Sequence, residues 1–208
     1  MNIKQVPFKD YYREESVKKQ IYLHHTAGTG SGDNVFSWWG KDKPRIATCV
    51  VIDRDGTIVQ GFDSKYWAYH LGLTNQMFKD NGAAWANLDK LSIGIELIAW
   101  GQLTKKGEKF YSYTNKEIPA EEVTTLDKPH RGFKHYHSYT DAQVQAVIDL
   151  LKLWEKRYGI DVSFNADIFD VTPRAFKGES GVFTHCSVRK DKVDVFPCPN
   201  LIEALKTL

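Results

Sequence analysis

The chain is poor in cysteine, with three among 208 residues, and poor in methionine, with two. Cys49, Cys186 and Cys198 are odd in number and too few for a disulfide framework, so they read as reduced thiols, one of them available as a metal ligand. An excess of one charge sign is also missing. Lys and Arg total 28 against 26 Asp and Glu, and a net charge of +2 is too balanced to argue for nucleic acid. Apolar runs stop at about four residues, as at Val50-Val51-Ile52 and its neighbours, whereas a membrane-spanning helix needs about 20. No membrane span is expected. The opening MNIKQVPFKDYYREESVKK lacks the apolar stretch of a secretory signal peptide, so cytoplasmic synthesis without a classical signal is the expectation. Internal repeats and low-complexity tracts are absent too.

What remains is ordinary for a soluble globular chain: 42% apolar and 26% charged residues, with six Trp in a 13% aromatic share. IYLHH (21–25) reads as a short strand, followed by the glycine-bearing loop 26–33. Asp33 can cap a short helix carrying Val35, Phe36, Trp38 and Trp39. ATCVVID and IVQGF flank Asp55-Gly56 and predict a hairpin with a tight turn. In KLSIGIELIAW (90–100) a period of two puts Ile93, Ile95 and Leu97 on one face and Ser92, Gly94 and Glu96 on the other. Residues 101–138 read as an irregular insertion with a small hairpin. Thr140 to Gln143 matches a capping box, and Val144, Val147, Leu151, Trp154 and Tyr158 follow at helical spacing up to Gly159. GVFTHC (181–186) is a late strand or loop edge, and NLIEALKTL a C-terminal helix. The expected architecture is α/β: a leader at 1–19, then a single domain over 20–208 with a mixed central β-sheet flanked by helices.

Of the seven histidines, His24 and His25 end the first strand and His185 ends the late one. Neighbours on a strand point to opposite faces, so His24 and His25 cannot easily serve one metal. Glu96 sits mid-strand opposite three aliphatics, where an unpaired buried carboxylate would be expensive. Trp67 and Tyr69, beside His70 in WAYHLG, can stack on a ligand or pack in the core.

Read together and in order, LHHTAG, VIDRDGTIVQGF, WAYHLG, LSIGIEL and THCSVRKDKVD…FPCP resemble the type-2 N-acetylmuramoyl-L-alanine amidases, the fold shared with peptidoglycan recognition proteins. The resemblance covers about residues 20–205. It implies a Zn²⁺ enzyme that hydrolyses the amide between N-acetylmuramic acid and the L-alanine of the stem peptide. By the same resemblance His24 and His185 are zinc ligands, and neutral imidazole suits that metal. The third ligand is open: Asp194 lies nine residues after His185 and two after Lys192, whereas Cys198 precedes Pro199. Val195 and Phe196 look inserted between these two candidates. Glu96 corresponds to the residue that activates the attacking water, and Lys192 to the one that steadies the oxyanion. His70 matches a position in the substrate cleft, with Trp67 beside it and His25 as a cleft neighbour. Where many members of the family have a tyrosine, this chain has Thr48, too short to replace a phenol.

The resemblance implies peptidoglycan or a muropeptide as partner and a monomer as the working unit. It leaves open an endolysin, a wall-recycling enzyme or a delivered toxin, acting after release or on cytoplasmic wall fragments. The alternative is a catalytically inactive peptidoglycan-binding protein on the same fold. A polyanion-binding role for the basic, aromatic stretch 127–138 is disfavoured by the balanced charge.

Overall fold

The structure, a computed structural model, describes residues 3–42 and 44–208. In chain order the strands are β1 (Ile3–Gln5), β2 (Gln20–His25), β3 (Val50–Ile52), β4 (Ile58–Gln60), β5 (Ser92–Leu97), β6 (Gln102–Lys106), β7 (Lys109–Tyr111), β8 (Glu117–Ile118), β9 (Val123–His130), β10 (Phe133–His137) and β11 (Gly181–Thr184). The α-helices are α1 (Gly32–Asp42), α2 (Asn75–Asp80), α3 (Leu88–Leu91), α4 (Asp141–Tyr158), α5 (Pro173–Phe176) and α6 (Pro199–Leu205).

Six strands form the main sheet in the order β1-β4-β3-β5-β2-β11. Strands β3, β5, β2 and β11 run parallel to their neighbours in that series, β4 is antiparallel to β3, and β1 adds a parallel edge on β4. The parallel strands are buried along their full length, as expected of a sheet covered on both sides. One covering helix is α4. Thr140 and Gln143 form its capping box, and Gly159 ends it in the left-handed conformation, φ +68°. Its buried stripe of Val144, Val147, Leu151 and Trp154 joins Ile93, Ile95 and Leu97 in the main core. The side-chain amide of buried Gln143 donates to the carbonyls of Ile52 and Ile98, which fixes α4 to two strand ends.

Two expectations about chain organisation change here. The leader is built into the fold: Ile3, Lys4 and Gln5 pair with Ile58, Val59 and Gln60, while Tyr12 and Ser16 bond the backbone at Trp67 and Lys65. Residues 1 and 2 lie outside the described residues. Residues 101–138 are not irregular but make a second, antiparallel sheet in the order β8-β7-β6-β10-β9. Its small core is Trp100, Leu103 and Ile118, with Phe110 and Val123 packed against it. Most other side chains of these strands are exposed, so the alternation that reveals a half-buried strand is diluted by Lys, Thr and Glu on both faces. The β9–β10 turn places Arg131 and Gly132 at φ +50° and +86°, both of the positive angles a tight hairpin requires.

Candidate active site

A cleft of about 940 Å³ opens where β2, β5 and β11 end, and His24, Glu96, His185 and Asp194 all line it. Register explains the meeting. His24 lies opposite Glu96 in the parallel β2–β5 pair, and Thr184 lies opposite Leu23, so His185 falls level with His24. Aligned residues of parallel strands share a face. Asp194 arrives from the tail that follows. Its carbonyl accepts the Cys186 N–H at 3.1 Å, which ties that tail to the turn carrying His185.

Three donor atoms converge. His24 Nδ1 is 3.2 Å from His185 Nδ1 and 3.3 Å from Asp194 Oδ2, and His185 Nδ1 is 3.0 Å from the same oxygen. The far side of each ring is already committed. His185 Nε2 donates to the Leu71 carbonyl at 3.1 Å, which leaves a lone pair on its Nδ1 in the neutral ring. His24 Nε2 meets His70 Nδ1 at 3.0 Å, His70 Nε2 meets Ser92 Oγ at 2.9 Å, and that hydroxyl points to the Asp89 carbonyl. Passed along that chain, the hydrogens leave His24 Nδ1 as a second lone pair.

In that tautomer two imidazole lone pairs and a carboxylate oxygen face one another, an arrangement able to hold a cation between them. Ligand atoms at roughly 2.0–2.1 Å from zinc in tetrahedral geometry stand about 3.3 Å apart, close to the separations found here. The donor set fits zinc: two neutral imidazoles, one carboxylate, and a cleft on the fourth side.

Electrostatics agree with that state. Burial pulls His24 and His25 down to about 4 and His70 well below its usual value, so all three are neutral at neutral pH. Burial works against a charged Asp194; with an Nδ1–H turned to it from His185 and His24 its carboxyl is held well below the usual range, and in the ligating tautomer a cation would take over that role. Glu96 behaves in the opposite way. Burial pushes its carboxyl up, the Asp194 charge adds to the push, and Lys192 only partly relieves it.

The other expected site residues divide. Lys192 lines the cleft, half-buried. His25 lines it too, with Nδ1 held 2.8 Å from the Tyr139 hydroxyl. Thr48 lines it, but its hydroxyl is turned inward to the Val50 carbonyl at 2.9 Å. His70 lines the cleft behind His24 as its hydrogen-bond partner. Trp67 is elsewhere: it stacks on Tyr12 at 3.9 Å and donates to Glu14, so the N-terminal segment occupies the face a ligand would need. Cys198 stands apart from the histidines, its thiol 2.9 Å from Asn200 Oδ1 at the start of α6. The apparent insertion explains its removal. Val195 and Phe196 are buried, and Phe196 stacks on Tyr136 at 4.3 Å, which carries the chain away from the cleft before Cys198 is reached.

Sequence reasoning missed the support for the histidines. Asp89 Oδ1 accepts the backbone N–H groups of both His70 and Leu71, at 2.7 and 2.9 Å. One buried carboxylate thus pins the two-residue segment on which both His24 and His185 lean. Its position before the LSIGIEL strand was the available signal.

The sequence matches the family model described as N-acetylmuramoyl-L-alanine amidase over residues 14–197. No curated protein sequence matches it significantly. Among solved structures, PlyL is similar at 13% identity and a TM-score of 0.52, covering 92% of this chain and 85% of PlyL. AmpD is similar at 18% identity and a TM-score of 0.52, over 98% and 94% of the two chains. The amidase AmiD from E. coli, solved with the substrate anhydro-N-acetylmuramic acid-L-Ala-D-gamma-Glu-L-Lys, aligns at 20% identity and a TM-score of 0.54, over 90% of this chain and 57% of AmiD. At these identities the likeness is one of fold.

Proposed function

The chain belongs to the N-acetylmuramoyl-L-alanine amidase family, and on that premise we propose that it is a zinc-dependent peptidoglycan amidase cutting between N-acetylmuramic acid and L-alanine. The observation that carries the reading is the triangle of His24 Nδ1, His185 Nδ1 and Asp194 Oδ2 beside an unpartnered Glu96. A binding protein that has lost catalysis is expected to lack part of this set.

Bound in the triangle, zinc would polarise the scissile carbonyl and acidify a water molecule. The protein's own groups do the rest. Burial and the Asp194 charge favour the protonated form of Glu96 in the metal-free protein; with the zinc charge beside it Glu96 would be ionised and accept a proton from the attacking water. The same carboxyl then delivers that proton to the nitrogen of the departing L-alanine. Lys192, two residues before Asp194 on the cleft wall, places positive charge near the carbonyl oxygen as it becomes negative. Leu71 and His70 keep the two imidazoles in the ligating tautomer throughout.

The test is release of stem peptides with free N-terminal alanine from purified peptidoglycan, followed with chelator and after zinc is restored. Loss with chelator and recovery with zinc is the expected result. Chelator-insensitive activity would overturn the zinc assignment, and no release at any zinc concentration would overturn the amidase reading.

A further inference from the structure

The second sheet does more than decorate the fold, because three of its residues reach the catalytic cleft. They are Gln102 at the start of β6, Tyr113 in the turn between β7 and β8, and Phe133 at the start of β10. The sheet is fixed against the site. Gly101 accepts the His137 N–H at 2.9 Å and lies directly on the His25 ring, leaving no room for a side chain. Gln102 is therefore one residue from the floor of the cleft. From α1, Trp38 and Trp39 line the same cleft.

Two features of these walls call for a ligand. Trp38 is 64% exposed, Tyr113 67% and Phe133 37%, a cost in water for large rings gathered round one cleft. Among the described residues Tyr113 has one ring neighbour, the edge of Trp100 at 6.0 Å. Second, Gln102 Oε1 is buried with no donor within reach among the described residues, and an acceptor left in that state costs about 1–3 kcal/mol. The charges exclude one class of occupant. Among the described lining residues Lys192 is the single ammonium or guanidinium, and Asp191 and Asp194 flank it. A strongly anionic peptide has little to hold it against the aromatic walls.

We propose that the second sheet is a glycan-binding wall, taking 2-acetamido pyranose rings of the substrate strand. Tyr113 and Phe133, with Trp38 from α1, receive the apolar C–H faces of successive sugars. Gln102 Oε1 accepts the N–H of an acetamido group. A neutral amino sugar supplies both a flat apolar face and an amide donor. This rests on the peptidoglycan amidase reading and assigns the sugar strand, rather than the stem peptide, to the wall formed by residues 101–138.

The experiment is calorimetric titration of the whole chain with two probes: a linear β-1,4-linked tetramer of N-acetylglucosamine, and the sugar-free stem tripeptide. The proteins are wild type, Tyr113→Ala with Phe133→Ala, and Gln102→Leu, each checked for an unchanged melting temperature. The expected result is a tenfold or greater rise in the tetramer Kd for both variants, with the tripeptide Kd moved less than twofold. Equal tetramer binding by all three proteins overturns the proposal, as does absence of tetramer binding by wild type. So does a loss confined to the tripeptide, which would make the wall a peptide reader. Stem-peptide release from peptidoglycan by wild type is measured alongside. Its failure counts against the amidase reading, whereas the tetramer titrations alone decide the wall.

Discussion

Glu96→Gln separates the energetic position of this carboxylate from its chemistry. Glu96 is 8% exposed, accepts no hydrogen bond from any described residue, and stands near the charge of Asp194. Its folded-state pKa is raised, so the folded protein holds the proton over a pH range in which the unfolded chain has already released it. Stability of the wild type therefore falls as pH rises from near the ordinary carboxyl value toward the folded-state one. The slope is about 1.4 kcal/mol per pH unit for one proton. Glutamine keeps the shape and cannot ionise, so it escapes this loss. The advantage of Glu96→Gln should grow by that amount per pH unit, then level off where Glu96 ionises in the folded state. For a chain of this size each unit corresponds to roughly 3–6 °C in melting temperature. The assay is thermal or urea denaturation of both proteins from pH 5 to 8 with chelator present. The slope is the signature, because the packing of the amide contributes equally at every pH. Parallel curves would refute the argument by showing that Glu96 is solvated and ionised in the folded protein. The same variant should lose at least about a hundredfold in amidase turnover, since a general base is worth that much or more.

Asp194→Ala should purify with far less than one zinc per chain, whereas Cys198→Ala should retain it; metal analysis of both checks which residue completes the site. Asp89→Ala should weaken zinc binding by about 10–100-fold through loss of the clamp on His70 and Leu71, with the zinc Kd read by competition with a chelating dye. Asp89→Asn, whose Oδ1 can still accept both N–H groups, should restore most of that affinity. Thr140→Ala removes the cap that accepts the Gln143 N–H and also the donor to the Arg54 carbonyl, and should cost about 1–2 kcal/mol in urea denaturation.

The parts of this protein legible in its sequence are those where local physics and burial agree. Thr140 and Gln143 announce the start of α4, Gly159 its end, and the apolar spacing between them the buried face. The alternation in LSIGIEL correctly separates Glu96 from the core aliphatics because β5 has a packed face and a cleft face. Other features depend on chain paths that no local pattern encodes. Trp67 looks like a ligand platform beside His70, but the N-terminal segment covers it with Tyr12. Whether Asp194 or Cys198 lies beside the histidines depends on whether Val195 and Phe196 form an exposed bulge or join the core, and the partner on which Phe196 packs, Tyr136, comes from the second sheet. The second sheet escapes the pattern because most side chains of its strands are exposed and only a few, such as Leu103, Ile118 and Tyr136, are buried. The Asp89 clamp acts through backbone N–H groups, which carry no side-chain signature.

The donor triangle joins residues 161 and 170 positions apart in the chain, with all of the second sheet and α4 between them. Such a centre cannot assemble on a partly folded chain, since forming it means closing nearly the whole polypeptide into one loop. A cation held there grips only the complete fold and acts as a reversible cross-link between the first long strand and the tail. Free cation at a hundred times its dissociation constant would raise the unfolding free energy of the whole molecule by about 2.7 kcal/mol. Resistance to proteolysis at turns that do not line the cleft should then follow the supply of metal, so that the turn at Gly107 between β6 and β7 reports on what His24 holds.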